Sequence, residues 1–161
     1  SSAATLPVTL DCVRENLKVS EDITNFVLPI GATVNMDGTS MYQAIAVIFL
    51  AQLHGVDLSI VQQLTIVLTA TMASIGAAAV PSAGVIMLVM VLESIGFPSD
   101  KLPLALTMIL AVDRPLDMCR TVANVTGDAT VSMLVAKSVD KLGDPDVKQW
   151  NDHYTGRDVK V

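Results

Sequence analysis

The sequence predicts an all-α membrane protein built from discontinuous transmembrane helices and re-entrant helical hairpins. Composition is the first observation behind this. The 161 residues are 52% hydrophobic and 16% charged, with a mean hydropathy of +0.56. Soluble domains average about 25% charged. The second is segregation: Leu58 to Leu92 holds 35 residues without a single charge. The third is that the apolar stretches are broken internally by Gly, Asn, Asp and Pro. Irregular backbone at membrane depth is tolerated only where it is buried or lines a cavity.

Each element follows in order. Residues 1–18 form a short, moderately apolar arm that ends in Arg14-Glu15-Asn16-Leu17-Lys18. Ser20-Glu21-Asp22 then marks a helix start, with acidic groups in the first turn. The apolar run from Ile23 to Leu53 is interrupted by Gly31-Ala-Thr33-Val-Asn35-Met-Asp37-Gly-Thr39. Those residues are poor helix formers, so residues 19–56 read as a discontinuous helix with freed carbonyls at Gly31 to Asn35.

The uncharged run is too long for one span and too short for two. One crossing takes about 20 residues, and two take about 40 plus a turn. Ser74-Ile-Gly-Ala-Ala-Ala-Val-Pro-Ser-Ala-Gly84 divides it into two arms. Residues 57–99 therefore read as a re-entrant hairpin. A single tilted and kinked span is the alternative. Leu102 to Val139 reads as one long helix kinked near Pro115, and residues 142–161 read as a solvated polar tail.

That last helix carries the densest chemistry. At about 100° per residue, Asp113, Asp117, Arg120, Asn124 and Asp128 fall within a sector of roughly 80°. Such groups cost several kcal/mol in an apolar setting unless paired or coordinated. Arg120 offers a planar fork for a carboxylate, and Asp117 can accept from an ammonium group. An acidic amino acid matches both. The alternative is an Asp–Arg pair that only neutralises itself. Asn35 and Asp37, with Asn124 and Asp128, supply hard oxygens for a hard cation, unless the first two simply cap a half-helix. Small residues from Ser74 to Gly84 allow close backbone approach to an ion, or ordinary helix packing.

The net charge of −6 argues against nucleic acid as a partner. Cys12 and Cys119 stand alone, which points away from zinc or a disulfide framework; Cys119 is expected to pack as a small residue. His54 and His153 are expected to be solvated. An intramembrane hydrolase using Asp113 or Asp117 is disfavoured, because Arg120 beside them keeps Asp117 ionised. A passive ion channel is the third class weighed.

GATVNMDGT at Gly31–Thr39, SIGAAAVPSAG at Ser74–Gly84 and DMCRTVANVTGD at Asp117–Asp128 resemble the dicarboxylate/amino acid:cation symporters, the glutamate transporter family. The opening SSAATLPVT is similar to the serine-rich tip of that family's first re-entrant hairpin. The resemblance runs from Ser1 to about Lys141. It implies part of a transport domain within a longer chain. Residues 1–18 would be the second arm of hairpin one, 19–56 broken helix seven, 57–99 hairpin two and 100–141 helix eight.

Roles are carried over by position. The resemblance implies that Arg120 and Thr39 hold the substrate's side-chain carboxylate, and Asp117 its amine. Asn124 and Ser2 would hold the α-carboxylate, with Thr121, Val80 and Gly84 lining the pocket. One sodium site would use carbonyls of Gly31, Asn35 and Asn124 with the Asp128 carboxylate. A second would use carbonyls of Thr33, Ser74, Ile75 and Ala77. A third would use Asn35 and Asp37 with ligands from helix three.

The resemblance therefore implies sodium-coupled uptake of aspartate or glutamate by an elevator motion, with co-transported sodium ions, no organic cofactor and no enzymatic activity. A proton-coupled glutamate or C4-dicarboxylate symporter of the same family is the alternative. It also implies a multi-pass protein of the plasma (inner) membrane, trimeric through a scaffold outside this sequence. Gln43 stands where eukaryotic glutamate transporters carry Glu, which points to a prokaryotic protein without potassium countertransport. Ala77 and Ala79 replace Thr and Gly of some relatives. Asp113 and Arg114 are expected to make only a structural contact near the kink.

Overall fold

A computed structural model of the chain describes residues 1–77, 79 and 83–146. The described residues form six helices: α1 (Ser2–Glu15), α2 (Glu21–Val34), α3 (Asp37–Leu53), α4 (Ile60–Ile75), α5 (Ala83–Ser94) and α6 (Leu102–Ser138). No named strand occurs among them. Among the described residues, no helix is long and apolar enough to cross a membrane by itself. The physical reason differs along the chain. α2 to α5 span 14, 17, 16 and 12 residues, below the roughly 20 that a crossing needs. α6 has 37 residues, but its middle is charged.

The expected break in the second segment is present and narrower than the sequence suggests. Only Asn35 and Met36 leave the helix between α2 and α3. The Gly31 carbonyl is not freed: it accepts from the Asn35 N–H at 2.8 Å, so α2 continues through Thr33 and Val34. α3 closes at Gly55 (φ 68°), with Val56 N–H bonding back to the Ala51 carbonyl at 2.8 Å. Ser59 starts α4 with a capping box, its hydroxyl accepting from Gln62 N–H at 3.3 Å while the Gln62 side chain accepts from Ser59 N–H at 3.0 Å. α4 exposes seven large apolar residues: Ile60, Val61, Leu64, Val67, Leu68, Met72 and Ile75. α6 runs unbroken through Pro115.

Two apolar cores stand at the two ends of α6. One gathers Val47 and Leu50 of α3, Ile66 of α4, Leu88, Val91 and Leu92 of α5, and Ala105 and Ile109 of α6. The other joins Val13 of α1, Val19, Leu28 of α2 and Ala136 of α6. Between them α6 is inverted. Asp113, Arg120, Asn124 and Asp128 are only 2–5% exposed, whereas Met118 is 69% and Val122 64% exposed. Cys119 shares that outward face and is exposed, not packed inside as the sequence suggested.

Two further expectations need correction. His54 is not fully solvated: its Nε2 is buried without a hydrogen-bond partner, and its ring stands edge-on to Phe97 at 5.7 Å. The start of the predicted tail is also bound. Val19 and Leu142 pair in an antiparallel bridge. Ser20 N–H donates to the Lys141 carbonyl at 3.2 Å and Gly143 N–H to the Lys18 carbonyl at 2.9 Å. The Lys141 ammonium pairs with Asp22. This clasp ties the end of α6 to the α1–α2 turn. The rest of that tail, residues 147–161 with His153, lies outside the described residues.

Candidate substrate and cation site

Four elements meet beside the middle of α6: the start of α1, the α2–α3 break, the α4–α5 tip and α6 itself. They enclose a small cavity of about 30 Å³, lined among others by Ser2, Thr39, Gly84, Asp117, Arg120, Thr121 and Asn124. Seven of the eight substrate residues expected from the sequence thus share one cavity, and the eighth, Val80, lies outside the described residues. The space between the described residues suits a water or two and is smaller than an amino acid.

Arg120 occupies the centre. Its Nη2 donates to Asp117 at 2.8 Å and to Asp113 at 3.2 Å, and its guanidinium stacks over the Tyr42 ring at 4.2 Å. The internal Asp–Arg pair weighed above therefore exists. It does not exhaust the guanidinium, because Nε and Nη1 are buried without a partner. Nη1 lies against Gly84, where a Cβ would collide with the guanidinium. Glycine is what lets the α5 start approach this closely. On the other side, Asn124 accepts from Gly38 N–H at 2.9 Å and donates to the Thr39 hydroxyl at 3.4 Å. The first turn of α3 is thereby fixed to α6. Ser1 donates its hydroxyl to the Ala79 carbonyl at 2.6 Å, which joins the start of α1 to the hairpin tip.

One helical turn further on, the oxygen donors gather. Asn35 donates to the Asp128 carboxylate at 3.0 Å. A Cβ on Gly31 would collide with that same carboxylate. A Cβ on Gly127 would lie 3.3 Å from an Asp37 carboxylate oxygen and 2.9 Å from the Asn35 amide, so both side chains lie over Gly127. Gly31, Asn35, Asp37 and Asp128 thus lie close together, with Asn124 one turn before Asp128 on α6. Among the described residues, no three His, Cys, Asp or Glu side chains converge. The donors present are amides, carbonyls and isolated carboxylates, which suit a hard cation.

The second expected cation set is looser. Ser74 and Ala77 are buried, while Ile75 is 52% exposed and Thr33 is exposed on α2. The Ser74 carbonyl accepts from Ala77 N–H at 3.2 Å. Among the described residues, no hydrogen bond joins Thr33 to Ser74, Ile75 or Ala77.

Tyr42, Met36 and Ser1 also belong to the site and went unmarked in the sequence reading. The signal for Tyr42 was its position three residues after Thr39, which puts it on the same helix face. Asp113 was expected near a kink, and it lies instead on Arg120. Arg114 is exposed.

Comparison with known proteins agrees with this geometry. The sodium:dicarboxylate symporter family matches residues 1–138. Excitatory amino acid transporter 3 of Mus musculus is 54% identical over 137 residues, 85% of this chain and 25% of the relative. An excitatory amino acid transporter of Caenorhabditis elegans is 55% identical over 129 residues, 80% of this chain and 25% of the relative. Excitatory amino acid transporter 1 of Rattus norvegicus is 47% identical over 161 residues, 99% of this chain and 29% of the relative. The chain therefore spans about a quarter of the length of these relatives. All three are animal proteins, so they lend no support to the prokaryotic origin suggested by Gln43. On the family match, with the converging site beside it, this all-helical membrane chain belongs to the sodium:dicarboxylate symporter family.

Proposed function

We propose that this chain is the ligand-binding part of the transport domain of a secondary symporter that carries aspartate or glutamate with sodium. The carrying observation is the cavity in which Arg120, Asp117, Thr39, Asn124, Ser2 and Gly84 converge. Arg120 takes the side-chain carboxylate beside Thr39. Asp117 takes the amine, and Asn124 with Ser2 takes the α-carboxylate. Thr121 and Val80 line the pocket. In this reading α1 is the second arm of hairpin one, α2 and α3 are broken helix seven, α4 and α5 are hairpin two, and α6 is helix eight.

Asn124 faces both halves of the site. It touches the first turn of α3, and it lies one helical turn from Asp128. Sodium at Gly31, Asn35, Asn124 and Asp128 then stiffens the residue that holds substrate, which is a direct route to coupling. Asn35 and Asp37 serve a further ion, and Thr33, Ser74, Ile75 and Ala77 form their cage only as the hairpin closes. Hairpin two is the gate, since its tip bonds to Ser1 in the contracted state. Transport proceeds by an elevator motion in a trimer at the plasma membrane, with a scaffold supplied by a longer chain. Transport, not catalysis, is the activity.

The test is uptake of radiolabelled aspartate by the protein in proteoliposomes. Uptake driven by an inward sodium gradient is expected. Uptake that ignores sodium and follows a proton gradient would replace this reading by the proton-coupled one. Transport of succinate in place of aspartate would replace it by a C4-dicarboxylate carrier.

A further inference from the structure

Asp113 is the buried charge that the proposed function leaves without a task. It is 2% exposed, lies outside the cavity lining, and sits 3.2 Å from Arg120 Nη2. Asp117 contacts the same nitrogen at 2.8 Å, and its side chain is 18% exposed at the cavity wall. Two carboxylates thus use the two hydrogens of one guanidinium nitrogen. They differ in what they can do next. Asp117 lines the cavity and can turn to a ligand there, whereas Asp113 lies outside that lining and stays on Arg120.

We propose that Asp113 is a positioning residue that makes the pocket select dicarboxylates bearing an amine over those without one. The inference rests on the proposed reading of Arg120 and Asp117. Asp113 acts in two ways. It holds the guanidinium plane on Tyr42 with Nη1 turned towards Gly84, so the free edge faces an incoming carboxylate. It also serves as the standing counter-ion of Arg120, which releases Asp117. The two carboxylates and one guanidinium sum to a formal charge of −1. An ammonium group cancels that charge, and a dicarboxylate without one adds to it. With Asp113 neutral, the triad sums to zero, Asp117 remains bound to Arg120, and the preference for an amine falls.

The experiment measures aspartate and succinate affinity of the reconstituted protein by competition for aspartate uptake. Asp113→Asn is expected to weaken aspartate about tenfold while succinate is unchanged or improved. Asp113→Glu keeps the charge and is expected to keep the ratio of the two affinities near that of the unmodified protein. In an Arg120→Cys background, where the uptake followed is that of radiolabelled serine and aspartate and succinate are the competitors, Asp113→Asn is expected to leave the ratio where it was, because the effect travels through the guanidinium. If Asp113→Asn does not fold, Asp113→Ser is the second neutral variant. Equal weakening of both ligands by the neutral variant overturns the inference, as does a ratio shift that persists without Arg120. An unmodified protein that ignores aspartate overturns the functional reading itself, so the two failures are distinct.

Discussion

Ile109 and Arg120 both lie on α6 and are equally buried, each 5% exposed, yet they are buried against different partners. Ile109 packs among the side chains of α3, α4 and α5. Arg120 meets two carboxylates, an aromatic face and a small cavity. The first burial holds the helices together and is complete as it stands. The second is incomplete, since Nε and Nη1 still lack partners. A buried charge set contributes little to stability, and its unmet donors define what the cavity accepts. Along one helix, the ends hold the fold and the middle carries the proposed ligand site.

Substitutions can break that division or sharpen it. The largest effect is expected from Arg120→Cys, which leaves the buried Asp113, and Asp117 at the cavity wall, without their cation. Loss of one member of a buried pair costs about 3–5 kcal/mol. Aspartate affinity should collapse and preference should move towards neutral amino acids, read by competition uptake; unchanged aspartate affinity would overturn the site assignment. Leu88→Ala, in the apolar half, is expected to cost about 2–5 kcal/mol in thermal unfolding while the folded protein keeps its aspartate affinity. Should Leu88→Ala alter ligand preference as Arg120→Cys does, the two halves would not be separable.

Smaller effects test the joints between the halves. Gly84→Ala forces a methyl into the Arg120 guanidinium and is expected to weaken aspartate about tenfold, the scale of modest overpacking. Gly31→Ala crowds Asp128 in the same way. It should raise the sodium concentration needed for half-maximal uptake, with less effect at saturating sodium. Lys141→Ala removes an exposed pair with Asp22 and is expected to leave both uptake and melting temperature nearly unchanged.

How much of this could be read from the chain depended on whether the signal was local. The break at Asn35–Met36 was visible because Gly, Asn and Asp are poor helix formers wherever they lie. The arms of α4 and α5 were visible because an uncharged run of 35 residues has a length that fits only certain geometries. The polar file of α6 followed from helical periodicity. The width of the break did not, since poor helix formers do not reveal that α2 runs on through Gly31 to Val34, with the Gly31 carbonyl still taken by the Asn35 N–H. Asp113 was placed on the right face but given no partner, because angular position alone does not reveal a contact seven residues away. The clasp was invisible: its bonds are main chain to main chain, and Lys141, Leu142 and Gly143 look like any polar tail. His54 was misjudged because the cover comes from Phe97, distant in sequence.

The clasp has a mechanical meaning. The α1–α2 turn and the end of α6 are stitched side by side, with the bridge between Val19 and Leu142 sitting on the core of Val13, Leu28 and Ala136. The stretch between those two residues behaves as a closed frame, not as a string of hinged rods. Load applied at the α1–α2 turn reaches α6 without passing through the α4–α5 hairpin. The arms of α4 and α5 lie outside the bonds of the clasp and are held instead by the apolar core they share with α3 and α6.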